Sequence, residues 1–258
     1  MNPGRVSLEG RVAIVTGAGV GMGAATARLL AARGARVIVS DINPATAAAT
    51  AEAIRAQGGT AHAVQTDVAD ETAVEAMVAE TVATFGRLDC AVNNAAITPD
   101  VLPIHEADMA VFDRVLAVDL RGVMLCMKYE IRQMLAQGGP GAIVNIGSVS
   151  SVRPQPNNAA YVAAKHGVIG LTRTGSLEYA PRGIRVNAVL PGAIDTPMLR
   201  GALETTGFTE EEFAPALSLF GRFGRPEEVA EASAWLCSDA ASYVTGHSLA
   251  VEGGYLSR

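Results

Sequence analysis

Tyr161 and Lys165 stand four residues apart in the stretch YVAAK. One helical turn puts both side chains on the same face. A free phenol has a pKa of about 10 and ionises little at neutral pH. An ammonium beside it favours the phenolate, so the pair is suited to moving a proton near neutrality. The same five residues also fit a surface helix with one aromatic and one charge. The rest of the chain has to decide.

A second set of residues is suited to a large anion. The run TGAGVGMG, residues 16–23, follows a Val/Ile-rich segment and leads into a helical one. Gly17, Gly21 and Gly23 allow a tight turn, leave no Cβ between backbone and a pyrophosphate, and let helix and strand approach closely. Free amides at the helix start then face the anion. With Gly19, Val20 and Met22 in the same turn, this is the expected dinucleotide cradle, although strand–helix packing alone also uses such glycines. Asp41 ends the next strand, 24 residues after Gly17. A carboxylate there can accept both ribose hydroxyls of NAD and repels the 2′-phosphate of NADP. Ile42 follows it, and residues 42–44 include no Lys or Arg to receive a phosphate, so NAD is the expected cofactor. The plain alternative is a turn residue ahead of Asn43-Pro44. Asp67 and Val68 end the third strand, where Asp67 fits either the adenine amino group or a strand-end turn. Asn93 and Asn94 end the fourth and fit bonds to neighbouring loops, to the cofactor or to both.

These residues need a scaffold, and the order of elements supplies one. Strand candidates at 11–16, 35–40, 60–65, 88–93, 141–147, 184–190 and 247–252 are apolar on both faces, as in a parallel sheet covered on both sides. Helical segments lie between them. One spans 21–33 and stops at Gly34, and one runs from Pro44 to Gln57 behind an Asn43 cap. Another begins after Asp70 and ends at Phe85 before Gly86, and further ones cover about 108–136, 158–180 and from Pro226 on. Such alternation predicts an α/β fold with one doubly wound sheet, as a single domain over residues 1–258. The stretch 192–226 has no strand character and carries Met198, Leu199, Leu203, Phe208, Phe213, Leu217 and Phe220. It is expected to form a lid with small helices of its own.

Composition narrows the partners. The 258 residues are 49% hydrophobic, 18% charged and 5% aromatic, which suits a compact Ala/Val/Gly-rich core. A net charge of -6 without a Lys/Arg cluster argues against nucleic acid. Every apolar run is broken well before a membrane span, and no apolar stretch follows a basic start at the N-terminus, so a cytoplasmic protein is expected. Cys90, Cys126 and Cys237 have an odd count and no ligand spacing, and are expected to be buried free thiols. His62, His105, His166 and His247 have no ligand spacing either, and no metal is expected.

Taken together, TGAGVGMG, Asp41, DV at 67–68, NNAA at 93–96, IGSVSS at 146–151, YVAAK, LPGAIDTP at 190–197 and the closing TGHSLAVEGG resemble the short-chain dehydrogenase/reductase family of the classical type. The resemblance runs from Gly10 to about Gly254. It implies a seven-stranded Rossmann fold, a nicotinamide cofactor, no metal and a homotetramer packed through two long helices. It makes Ser148, thirteen residues before Tyr161, the catalytic serine. A hydroxyl at the end of the fifth strand faces the crevice where such sheets bind ligands. Ser150 and Ser151 are alternatives on spacing alone, or turn residues. Tyr161 becomes the general base of oxidation and general acid of reduction, and Lys165 also holds the nicotinamide ribose. Pro191, Gly192, Ile194 and Thr196 resemble the segment that packs against the nicotinamide, although Thr196 before Pro197 equally fits a helix cap. Asn187 fits a structural amide.

One position departs from the family. In LAVDLRG, residues 116–122, Asp119 stands where the family has asparagine, the fourth member of its catalytic set. In the family this position bends the long helix and its backbone helps hold a water that relays protons to the lysine. The backbone carbonyl survives the change, whereas a carboxylate near Lys165 favours the charged lysine. Activity is expected to persist with an altered pH profile, and Asp119→Asn to leave turnover within an order of magnitude. Ala96 for glycine and Glu252 for aspartate are milder departures.

The expected activity is NAD-dependent exchange of hydride with a secondary alcohol or ketone. Substrate preference should come from Ala96, the 149–157 loop with Ser150 and Gln155, and the lid with Met198. The lid's apolar side chains favour an apolar or cyclic substrate, or simply fill a helix–sheet gap. Arg153 and Asn157 fit polar recognition or ordinary loop polarity. Two rivals stand beside this reading: an NADPH-dependent 3-oxoacyl thioester reductase, which Asp41 opposes, and a dinucleotide sensor without chemistry.

Overall fold

In the computed structural model, which describes residues 6–97, 100–207 and 209–257, seven Val-, Ile- and Ala-rich runs form parallel strands. They are β1 (Val12–Thr16), β2 (Arg36–Asp41), β3 (Thr60–Gln65), β4 (Cys90–Asn93), β5 (Gly141–Ile146), β6 (Ile184–Pro191) and β7 (Ser248–Val251). Their order in the sheet is β3-β2-β1-β4-β5-β6-β7. Winding therefore reverses between β1 and β4, and a crevice opens at the carboxyl ends of these strands.

Alternating strand residues feed two separate cores, which is why the strands are apolar on both faces. Val15, Val37, Val39, Val92 and Val144 pack with α1 (Gly21–Ala32), α2 (Pro44–Ala56) and α9 (Pro226–Cys237). Ile14, Ile38, Ala91, Ile143 and Val186 pack with α3 (Glu71–Phe85), α5 (Val123–Gln137) and α6 (Ala159–Tyr179). This is the seven-stranded, doubly wound Rossmann arrangement. Local signals set the helix ends as expected: the Asn43 and Asp70 side chains accept from amides of the first turn, and Gly86 closes α3 in the left-handed region.

The long helical region near 108–136 is not continuous. After α4 (Met109–Leu116) the backbone widens into one π-helical stretch, Ala117–Gly122, before α5 begins. Such bulges are frequent at functional sites, and this one carries Asp119. The 192–226 excursion forms α7 (Pro197–Thr206) and α8 (Glu210–Leu217). It is tied back by a bridge between Ile194 and Gly224 and has a small core of Leu203, Ala214 and Phe223. Phe208 lies outside the described residues. The three cysteines are buried and free, and among the described residues no helix is long and apolar enough to cross a membrane.

A polar cluster crosses the second core. Asn93 Nδ2 donates to Glu130 Oε2 (3.1 Å) and to Asn145 Oδ1 (3.0 Å), and Asn145 Nδ2 donates to Thr172 Oγ1 (3.0 Å). Burial pushes the Glu130 carboxyl up to about 8, against the pull of the Asn93 amide. The folded protein therefore keeps a proton on Glu130 that the unfolded chain releases near pH 4.5. Stability from this group is complete below pH 4.5 and declines as pH rises to about 8. Glu130→Gln should flatten that decline: the fall in Tm between pH 5 and pH 8, followed by circular dichroism, becomes smaller than in the parent. Equal slopes would show that Glu130 is ionised in the core.

Candidate active site

The glycine-rich turn is held by close contacts on several sides. Gly17 adopts φ +60°, and a Cβ there would sit 2.8 Å from the Ala95 Cα. A Cβ on Gly23 would meet the Gly17 carbonyl oxygen at 2.1 Å, so strand and helix touch through backbone alone. Asn94 fixes the turn from the neighbouring strand, its Nδ2 donating to the carbonyls of Thr16 (2.9 Å) and Gly17 (3.1 Å). Its amide donors serve the protein, while the residue also lines the cleft beside the turn. Asn93 belongs to the Glu130 cluster instead. Asp41 is fixed as well: its two carboxylate oxygens accept the amides of Gly19 (2.8 Å) and Asn43 (2.9 Å).

A cleft of about 310 Å³ runs along this turn. Gly17, Val20, Gly21, Met22, Asp41, Ile42, Asp67, Val68 and Asn94 line it, and Tyr161, Lys165, Thr196 and Met198 close its far end. Gly19 and Gly23 do not reach its wall; Gly19 packs on Thr46 and Gly23 on the turn itself. Asp67 lines the cleft, and one of its oxygens accepts the Ala69 amide in a strand-end turn. Ala96 also lies in this cleft, away from the second cavity where substrate selection was expected.

That second cavity, about 330 Å³, adjoins the first and shares Met22, Gly147, Tyr161, Thr196 and Met198 with it. Ser148, Ser150, Gln155, Pro191, Gly192 and Ile194 line it, with Leu199, Phe213 and Leu217 from α7 and α8. No charged side chain belongs to its described wall. Tyr161 sits where the two spaces meet. Ser148 Oγ accepts the Ser150 amide (3.1 Å), whereas Ser151 turns its hydroxyl back to accept the Ser148 amide (3.2 Å). Ser151 is therefore a turn residue. Thr196 caps α7 by accepting the Leu199 amide (3.3 Å) while lining both spaces. Asn187 is structural, bonded to Val244 and His247.

Beneath Tyr161 lies a buried ion pair. Lys165 Nζ is 5.4 Å from the centre of the Tyr161 ring, 3.2 Å from the Ile146 carbonyl and 3.4 Å from Asp119 Oδ2. The last is a contact of charges rather than an aligned hydrogen bond. Asp119 Oδ1 accepts the Ile97 amide (3.0 Å). The lysine is 2% exposed and the aspartate 0%. Burial pushes the Asp119 carboxyl up, and the Lys165 charge pulls it back. Burial likewise works against the Lys165 ammonium, but the charges of Asp119 and Tyr161 prevail and hold it above its ordinary range.

Three residues at the site had no signal in the sequence. Asp100 accepts amides at the start of α6, Asn158 lines the second cavity, and so does Tyr255 near the C-terminus. Arg153 stacks on the Tyr255 ring at 4.7 Å and donates to its carbonyl (3.1 Å), so it braces the cavity wall rather than entering the cavity. None of the four histidines lines either space.

Comparison with known proteins agrees with this arrangement. The family model described as enoyl-(acyl carrier protein) reductase matches residues 17–256. The chain is 48% identical over 254 residues to the short chain dehydrogenase/reductase astE of Aspergillus oryzae, covering 98% of this chain and 97% of that one. It is 50% identical over 245 residues to the cis-4-hydroxycyclohexanecarboxylate dehydrogenase of Sinomonas cyclohexanicum, covering 95% and 96%. The crystal structure of 3-ketoacyl-(acyl-carrier-protein) reductase from Brucella melitensis complexed with NADH superposes with a TM-score of 0.88 at 38% identity, covering 96% of this chain and 99% of that one. With its sheet order, its glycine turn and these relatives, the chain belongs to the short-chain dehydrogenase/reductase family, a family of oxidoreductases that use a nicotinamide dinucleotide.

Proposed function

We propose that the protein is an NAD-dependent oxidoreductase that interconverts an uncharged cyclic secondary alcohol and its ketone. The observation that carries this reading is the position of Tyr161, at the junction of the cleft along the glycine turn and a cavity with no charged side chain among its described lining, with a buried ammonium beneath it.

Gly17 and Gly21 line the cleft where a pyrophosphate would lie and put no Cβ in its way, while the closeness of Gly17 and Gly23 to neighbouring backbone lets strand and helix pack. Asp41, held by two amides at the end of β2, favours free ribose hydroxyls over a 2′-phosphate. A nicotinamide held in this cleft by the glycine turn, Asp41 and Lys165 would supply the acceptor for the carbinol hydrogen and its electron pair. Tyr161 takes the hydroxyl proton as that hydrogen leaves, and returns it in the reverse direction. Lys165 stabilises negative charge on the phenol oxygen, and with Tyr161 it is the residue that would hold the nicotinamide ribose. Ser148, oriented by the Ser150 amide, donates to the substrate oxygen. Ser150, Gln155 and Met198 touch the substrate ring, and the 192–226 segment acts as the lid over it.

The relative from Sinomonas is named for a cyclohexane alcohol and thus supports a cyclic substrate. A carboxylate such as the one in that name would meet no cationic side chain among the described residues lining this cavity, which is why the substrate is read as uncharged. Around this site we read a single domain, located in the cytoplasm. A groove formed by Leu116, Leu120, Met124, Gly167, Gly170 and Leu171 offers the face through which copies would pack into a homotetramer.

Incubation with NAD and a panel of cyclic secondary alcohols, read by NADH absorbance, tests the assignment. Cyclohexanol-type substrates should be oxidised with NAD and at least about tenfold less efficiently with NADP, the effect of a repelled phosphate. A preference for NADP, with turnover confined to 3-oxoacyl thioesters, would replace this reading with the reductase alternative.

A further inference from the structure

We infer that Asp100 is a positioning residue for Tyr161, acting as a remote cap that joins the rim of the substrate cavity to the helix bearing the phenol. The inference rests on the reading of Tyr161 as the proton carrier.

α6 lacks a cap of its own. Asn158 occupies the capping position at φ -125° and ψ 43°, and its side chain accepts no helix amide. Its Nδ2 instead donates to the carbonyls of Asp100 and Asn157. The cap comes from sixty residues upstream. Asp100 Oδ2 accepts the Ala160 amide (3.0 Å) and Oδ1 accepts the Tyr161 amide (3.1 Å). One carboxylate thus satisfies two of the four free donors of a helix start, and its charge complements the positive end of the helix.

The placement gives this cap a consequence that an ordinary one lacks. One captured amide belongs to Tyr161 itself, so Asp100 fixes the backbone from which the phenol projects. The next residue, Val101, lines the substrate cavity, as does Asn158, which returns the bond to Asp100. Contact of a substrate with this rim is therefore transmitted to the first turn of α6 through three hydrogen bonds. Small misplacements of a reacting group cost about 10²-fold in rate, so a loosened first turn should act on turnover more than on cofactor binding.

Asp100→Ala and Asp100→Asn, compared with the parent, provide the test. Amide hydrogen exchange should quicken at least about tenfold at residues 160–161 in the alanine variant, with α1 unchanged. Its kcat for the alcohol should fall about tenfold and the primary deuterium isotope effect on kcat should rise, while NADH affinity stays within about twofold. Asparagine keeps one acceptor and should regain most of both effects. Unchanged exchange at 160–161 overturns the cap. Faster exchange with kcat within about twofold overturns the positioning role, since a merely stabilising contact would lower Tm alone. If the parent itself oxidises no alcohol, the reading of Tyr161 fails and with it the positioning role, while the exchange arm still decides the cap.

Discussion

Tyr161→Phe is expected to lower turnover of a cyclic secondary alcohol by about 10³-fold or more and to leave NADH affinity within about twofold. The substitution removes one oxygen and little else. The ring still packs against Val115, Ala160 and Ala164 and still lies over the Lys165 ammonium. The glycine turn and Asp41 are untouched at the other end of the cleft. Only the proton carrier is lost, so the defect should appear in kcat and kcat/KM together rather than in binding. Fluorescence titration with NADH and initial rates with the alcohol separate the two. A variant that kept more than about a tenth of the rate would show that another group moves the proton. A dinucleotide sensor without chemistry would have no turnover to lose.

That experiment bears on residues a reader of the sequence could have named; others could not have been found that way. The strands were visible because burial on both faces leaves uninterrupted Val/Ile/Ala runs, and each predicted boundary falls within two residues of the observed one. The glycine turn and the Tyr161–Lys165 pair were visible because their chemistry depends on spacing along the chain. Asp100 was hidden for the opposite reason: its partners lie sixty residues away, and an aspartate in a loop carries no local mark of what it caps. Asn94 was ambiguous because an amide can serve protein or cofactor equally, and its bonds to the Thr16 and Gly17 carbonyls depend on where the neighbouring strand lies. Ala96 was expected to take part in substrate selection, yet it lines the cleft along the glycine turn and not the second cavity. The π-helical stretch around Asp119 has no periodicity distinct from the α-helix on either side, so only the family resemblance, and not the residue pattern, pointed to a bend there.

Asp119 and Lys165 lead to the second large effect. Lys165→Met should reduce turnover by about 10²-fold or more and destabilise the fold by about 3–5 kcal/mol at neutral pH, because it strands a carboxylate that is 0% exposed. Burial already pushes the Asp119 carboxyl up, and the lysine is what pulls it back. Even with that pull the carboxyl stays above its ordinary range, and without it the folded state holds the proton on Asp119 more tightly still. Stability of the variant is therefore greatest at low pH and falls as pH rises through the ordinary carboxylate range. Adding Asp119→Asn to Lys165→Met removes the stranded charge, so the double variant should recover most of the lost stability and lose the extra pH dependence, yet remain inactive. Asp119→Asn alone should behave differently again. Its turnover stays within about an order of magnitude, because Lys165 keeps the Ile146 carbonyl at 3.2 Å and its place beneath the Tyr161 ring. The main support of the ammonium against burial is gone, however, so the alkaline limb of the pH–rate profile moves to lower pH. Thermal unfolding across pH and rates across pH read these outcomes independently. A double variant as unstable as Lys165→Met would place the cost in lost packing rather than in the buried charge, and a complete loss of turnover in Asp119→Asn would give the carboxylate a direct part in the chemistry.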